Sequence, residues 1–161
     1  MPYPFGPFFK LAALTAQRRE EVSEMRWEHL NLADKLWALP RELTKSDRAH
    51  EVPLSDSAVA VLETLPRQSA GFVFTTNNQT GISGFSKAKR RCDELTADQR
   101  KETDVPAILP WRIHDLRRTA ASGMARLGVA PHVVEKVLNH ANGEISGIGA
   151  VYNRYGFDPE K

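Results

Sequence analysis

Six side chains in this sequence are of types that handle phosphate esters: Arg18, Lys45, His114, Arg117, His140 and Tyr152. His114 and Arg117 are three residues apart, so on a helix they share a face and reach the same anion. Arg18 stands four residues after Leu14 and four before Val22, on an apolar stripe with Leu11 and Met25 that predicts one helix from near Phe8 to Trp27. A helix that buries this stripe points the guanidinium inward or to a cleft edge, where it calls for an anion. Tyr152 offers a nucleophilic hydroxyl near the C-terminus. Such a set suits phosphoryl transfer without a metal, because arginines neutralise charge on the non-bridging oxygens while a proton donor protects the leaving oxygen.

The elements that must position these groups follow from the pattern around them. Between Asn31 and Leu54 the periodicity shortens to extended pieces, Leu36-Trp37-Ala38-Leu39 and Glu51-Val52-Pro53-Leu54, which predict two to three antiparallel strands. The turn formers of Thr44-Lys45-Ser46-Asp47-Arg48 place Lys45 at or beside a hairpin tip. Ser55 is the expected N-cap of a helix carrying Ala58, Val59, Leu62 and Leu65 and stopped by Pro66, and Ser83 that of a helix through Lys87, Lys89, Arg90 and Arg91. Gly71 to Phe74 reads as a buried extended segment, and the polar stretch from Thr96 to Pro110 as an exposed connection. From Ile113 a helix runs to about Leu127, Gly128 stops it, and Pro131 opens a helix that ends at Asn139 and His140. A last short helix is expected from Ile148 to Phe157. The fold class is α+β, mainly helical, with a small antiparallel sheet.

Composition bounds the answer without giving it. A length of 161 residues, 41% hydrophobic and 26% charged, fits one globular domain and excludes a disordered or collagen-like chain. The 22 basic and 20 acidic side chains leave a formal charge of +2, a balance that hides any locally basic face. Cys92 is the single cysteine, so neither an internal disulfide nor a thiolate-rich zinc site is available, and the remaining histidines His29, His50 and His132 offer no ligand spacing. No apolar run approaches the roughly 20 residues needed to span a bilayer, and the first residues lack the regions of a signal peptide. A cytoplasmic protein without metal or cofactor is expected.

In chain order these residues sit in motifs that resemble one family. Leu14-Thr15-Ala16-Gln17-Arg18-Arg19-Glu20-Glu21-Val22, the hairpin Thr44-Lys45 followed by His50-Glu51-Val52-Pro53-Leu54-Ser55, His114-Asp115-Leu116-Arg117-Arg118-Thr119, Leu138-Asn139-His140 and Val151-Tyr152-Asn153-Arg154 together resemble the catalytic domain of a tyrosine recombinase of the phage integrase family, over residues 5–157. The family usually has glycine where Ala16 and Asn139 stand. The resemblance implies that Tyr152 attacks a DNA phosphate held by Arg18, Arg117 and His140, giving a 3′-phosphotyrosyl link, while Lys45 protonates the leaving 5′-oxygen and His114 orients the phosphate or exchanges protons. It further implies double-stranded DNA as partner, with Lys87, Lys89, Arg90, Arg91 and Arg118 on its backbone, and assembly with other protomers into a tetramer. A DNA-binding domain ordinarily precedes this one, so the chain is expected to act as a catalytic fragment, monomeric and weakly active by itself.

Each residue also has a plainer reading. Arg18 can pair with Glu21 or Glu24, Lys45 can be a solvated turn residue, and His114 and His140 can cap helices; Tyr155 rivals Tyr152. The alternative function is a non-catalytic helix-turn-helix DNA-binding module spanning Ala121 to His140, and a type IB topoisomerase would share the chemistry. Neither the hairpin lysine nor the terminal tyrosine is explained by the helix-turn-helix.

Overall fold

The computed structural model describes residues 1–140, apart from 68 and 70. Two helices, α1 (Phe5–Thr15) and α2 (Arg19–Ser23), precede the strands β1 (Leu30–Asn31), β2 (Leu36–Leu39) and β3 (His50–Pro53). Four further helices follow: α3 (Asp56–Glu63), α4 (Phe85–Glu102), α5 (His114–Arg126) and α6 (Pro131–Val137). This is the mainly helical α+β class expected from the sequence; the helix expected over 148–157 lies outside the described residues. No described helix is long and apolar enough to cross a membrane.

The sheet is antiparallel in the order β1-β2-β3, which leaves β3 at an edge. Alternation along β2 buries Trp37 and Leu39 and exposes Ala38. Trp37 pairs with Val52 and Leu39 with His50, and residues paired across strands share a face, so His50 stands on the same side as the buried Trp37 and Val52. Onto that side α1 lays Phe8 and Leu11, and α3 adds Ala58 and Leu62. Phe8 also meets Phe74 edge to face at 5.9 Å. Ser55 caps α3 as expected, its hydroxyl accepting from the Ala58 amide at 3.2 Å. A second, smaller cluster of Ala16, Ala121, Val134 and Leu138 joins the end of α1 to α5 and α6.

Three expectations need correction. The single helix from Phe8 to Trp27 is two, because Ala16 takes a left-handed conformation (φ 55°) and turns the chain. Thr15 and Gln17 bond back into the end of α1, at 2.7 Å to the Leu11 carbonyl and 2.9 Å to the Thr15 carbonyl, and Leu14 is 44% exposed, so Arg18 shares no stripe with it. Ser83 does not cap α4; Gly84 holds that position at φ 83°, with no side-chain cap. Finally, Thr96 to Glu102 continues α4 rather than connecting it onward. Its polar character reflects a solvent-facing helix of good helix formers laced by Lys89–Asp93 and Arg91–Glu94 ion pairs.

The turn between α5 and α6 is as expected. Gly128 (φ 78°) donates to the Ala125 carbonyl and Val129 to that of Met124, each at 3.0 Å, which closes α5, and Pro131 opens α6. A Cβ at Gly128 meets nothing within 4 Å, so Gly128→Ala isolates the left-handed penalty. Thermal unfolding should show a loss of about 1–2 kcal/mol.

Candidate active site

The site is organised by the C-terminal end of α6. A helix end leaves carbonyls without intrahelical partners, and here every one from Glu135 to Asn139 is taken. Asn139 adopts a left-handed turn (φ 48°), so its amide reaches the Lys136 carbonyl at 3.0 Å and the His140 amide reaches that of Glu135 at 3.1 Å. The Val137 carbonyl accepts from Gln17 Nε2 at 2.9 Å and from His50 Nε2 at 3.3 Å. The Leu138 carbonyl accepts from Arg117 Nη2, and that of Asn139 from Arg18 Nη2 at 3.3 Å.

Arg117 is only 3% exposed, a burial that costs a great deal unless the charge is compensated. Its Nη1 donates at 2.6 Å to the carbonyl of Ala16, the residue that ends α1. One guanidinium thus bridges the negative ends of two helices, whose dipoles and orphan carbonyls favour a cation there. Arg18, the residue before α2, is fixed twice by the buried Glu21: the carboxylate accepts from the Arg18 backbone amide and from Nη1, both at 2.9 Å. The two guanidiniums thus bind consecutive carbonyls at the end of α6.

His140 follows directly, its Nδ1–H donating to Glu135 Oε2 at 2.5 Å. Glu135 therefore holds His140 through both backbone and side chain. His114, at the first turn of α5, is pushed below the ordinary histidine range by burial and by the charges of Arg118, Arg117 and Arg18, against the opposing charge of Asp115. His50 is pushed down by burial, an effect that the Val137 bond and Glu21 oppose and that Arg117 and Arg18 reinforce. The charges of Arg117 and Arg18 thus lower the proton affinity of both imidazoles.

Lys45 is exposed in the β2–β3 loop. The buried Thr44 folds that loop, its hydroxyl accepting from the Arg48 amide at 3.1 Å and donating to the Arg48 carbonyl at 2.7 Å. Against the opposing effect of burial, hydrogen bonds from Arg19 and the backbone, with the charges of Arg19 and then of Lys45, hold the Glu20 carboxyl of α2 below its usual range. Tyr152, Tyr155 and the segment around them lie outside the described residues.

The basic residues assigned to DNA separate by environment. Lys89 spans Asp93, at 2.6 and 2.7 Å, and sits 4.0 Å from the centre of the Trp111 ring, which makes it a packing residue. Arg91 pairs with Glu94 and Arg118 with Asp115, while Lys87 and Arg90 stand exposed on α4. Sequence reasoning missed Gln17, Glu135 and His50. For His50 the signal was present: strand alternation puts it on the inner face with Val52.

Structures of the same architecture identify the class. The chain superposes on the Tn1549 transposon integrase in complex with a circular intermediate DNA with a TM-score of 0.72 at 12% identity, covering 91% of this chain and 52% of that one. With the catalytic domain of bacteriophage HP1 integrase the TM-score is 0.61 at 19% identity, over 91% and 74% of the two chains. The fold is that of a tyrosine recombinase catalytic domain. Among curated proteins, prophage integrase IntA of Escherichia coli K12 is 29% identical over 149 residues, 91% of this chain and 33% of that protein. The shufflon-specific DNA recombinase of Escherichia coli is 36% identical over 120 residues, 74% and 27% of the two. The chain belongs to the phage integrase family, whose family model matches residues 6–154. It spans about a third of the length of these curated relatives.

Two measurements test the site's physics. The Asn139 side-chain Nδ2 is buried without a hydrogen-bond partner, and its backbone is left-handed, so Asn139→Gly should stabilise the fold by about 1 kcal/mol. The melting temperature is the readout. His50 and His114 both sit below the ordinary value of about 6.5, so below that pH the unfolded chain binds more protons than the folded one. The stability they contribute is complete above the unfolded value and is lost as pH falls towards the folded values. The melting temperature should drop between pH 7 and pH 5, and His50→Gln and His114→Gln should each reduce the drop.

Proposed function

We propose that this chain is the catalytic domain of a site-specific tyrosine recombinase that integrates or excises mobile DNA. The carrying observation is the pair of guanidiniums, Arg18 and Arg117, anchored on consecutive carbonyls with His140 next in the chain. Two guanidiniums fixed in place by helix-end carbonyls and by Glu21 are preorganised to face the non-bridging oxygens of a phosphodiester, at little reorganisation cost during reaction.

In this reading Tyr152 attacks the phosphorus as its phenolic proton passes to His114, the bond to the 5′-oxygen breaks, and Lys45 delivers a proton to that oxygen. The products are a 3′-phosphotyrosyl link and a free 5′-hydroxyl. A 5′-hydroxyl from a second strand reverses the step and restores the tyrosine. One phosphodiester replaces another, so no nucleotide fuel is consumed. His114 orients the phosphate, its proton affinity rising when the anion arrives beside it. Lys87, Arg90, Arg91 and Arg118 meet backbone phosphates of double-stranded cytoplasmic DNA, and further protomers complete a tetramer on it. The helix-turn-helix alternative is less well supported, since the end of α6 is occupied by Gln17, His50 and both arginines.

The test is covalent trapping. A pool of nicked duplexes, randomised around the nick, is incubated with the chain and adducts are collected on a denaturing gel. An adduct is expected that Tyr152→Phe abolishes and that Tyr155→Phe leaves. Arg18→Ala should slow its formation by about 10²-fold or more. An adduct that survives Tyr152→Phe overturns the nucleophile, and a DNA-bound chain that never forms one overturns the reading.

A further inference from the structure

His50 has no role in the reaction as described, yet it occupies a junction. It is the first residue of β3, five residues after Lys45, and its Cα partner on β2 is Leu39. Pairing with Leu39 turns its side chain to the inner face of the sheet, where it is half-buried rather than solvated. There Nε2 lies 3.3 Å from the Val137 carbonyl. A carbonyl only accepts, so the contact fixes the tautomer with the proton on Nε2.

Val137 precedes the two residues whose carbonyls hold the arginines, and His140 follows one residue later. The other donor to the Val137 carbonyl, Gln17, comes from the end of α1 and ties α6 only to that helix. Among the described hydrogen bonds, His50 to Val137 is the one that ties the β2–β3 hairpin to the end of α6. The Lys45 loop is otherwise closed on itself, through Thr44 to Arg41 and Arg48 and through the Arg41–Asp47 pair.

We propose that His50 is a positioning residue that sets the Lys45 hairpin in register with the arginine and histidine cluster through its hydrogen bond to the Val137 carbonyl. The inference rests on the recombinase reading, in which Lys45 must reach the 5′-oxygen of the same phosphate that Arg18 and Arg117 grip. Proton delivery tolerates little misplacement, and an error of about 1 Å costs up to about 10²-fold in rate. Phosphate gripping itself is unaffected by the hairpin's position. Loss of the tie should therefore slow the chemical step and spare binding.

The duplex recovered by covalent trapping serves as the probe, with single-turnover adduct formation and duplex affinity measured separately. His50→Met, close in volume but without a donor, should slow adduct formation by about 10- to 100-fold and change the dissociation constant by less than about 3-fold. His50→Gln, which can donate to the same carbonyl, should recover most of the rate. Melting curves of both variants establish that they are folded at the assay temperature. Met and Gln variants of equal rate, or a Met variant whose loss lies in duplex affinity, would overturn the role of the hydrogen bond. A wild-type chain that binds duplex without forming an adduct overturns the recombinase reading first, and this inference with it.

Discussion

The structure depends on how the carbonyls at the end of one short helix are satisfied. α6 is seven residues long and contributes little apolar surface, yet five successive carbonyls beginning at Glu135 find donors. Two of those donors are amides of its own left-handed turn, and the rest come from the end of α1, the start of α2, the sheet edge and the first turn of α5. Leaving any one unpaired would cost on the order of 1–3 kcal/mol, a large share of a domain's net stability. Elements distant in sequence are thereby obliged to converge on one point. Two of the groups that converge are the guanidiniums of Arg18 and Arg117, so the requirement that orders this end of the domain also brings its cations together.

Arg117 shows how the two demands are reconciled. A buried guanidinium is normally tolerated beside a carboxylate, and such a partner would compete with an anionic substrate. Here the described contacts of Arg117 include two helix-terminal carbonyls, one from α1 and one from α6. Carbonyls supply partial charge and geometry without cancelling the cation. Arg18 is compensated differently, by Glu21, which is itself buried and fixed.

Much of this was legible beforehand, and the misses have physical causes. The α5 and α6 boundaries were readable because Gly128 and Pro131 announce them, and the cap of α3 because a serine precedes an apolar run. The break at Ala16 was hidden, since alanine is the strongest helix former and gives no sign of a left-handed turn; only the family's preference for glycine there, and at Asn139, pointed to it. The last turns of α4 are hidden in the sequence because a solvent-facing helix and a loop carry the same polar residues. Strand alternation gives the inward face of His50, but not its partner Val137, which lies 87 positions away, and the pairing of Glu135 with His140 depends on the turn at Asn139 that nothing in the residue types announces.

The two apolar clusters are unequal. The sheet side packs Trp37, Phe8, Phe74 and several leucines, whereas the cluster behind the arginines consists of Ala16, Ala121, Val134 and Leu138. So small a core makes the half that carries the arginines the first part of the domain to open by local unfolding, before the sheet and α1 separate. Any anion bound across Arg18 and Arg117 would hold that half closed, which couples binding there to the folding of the smaller cluster.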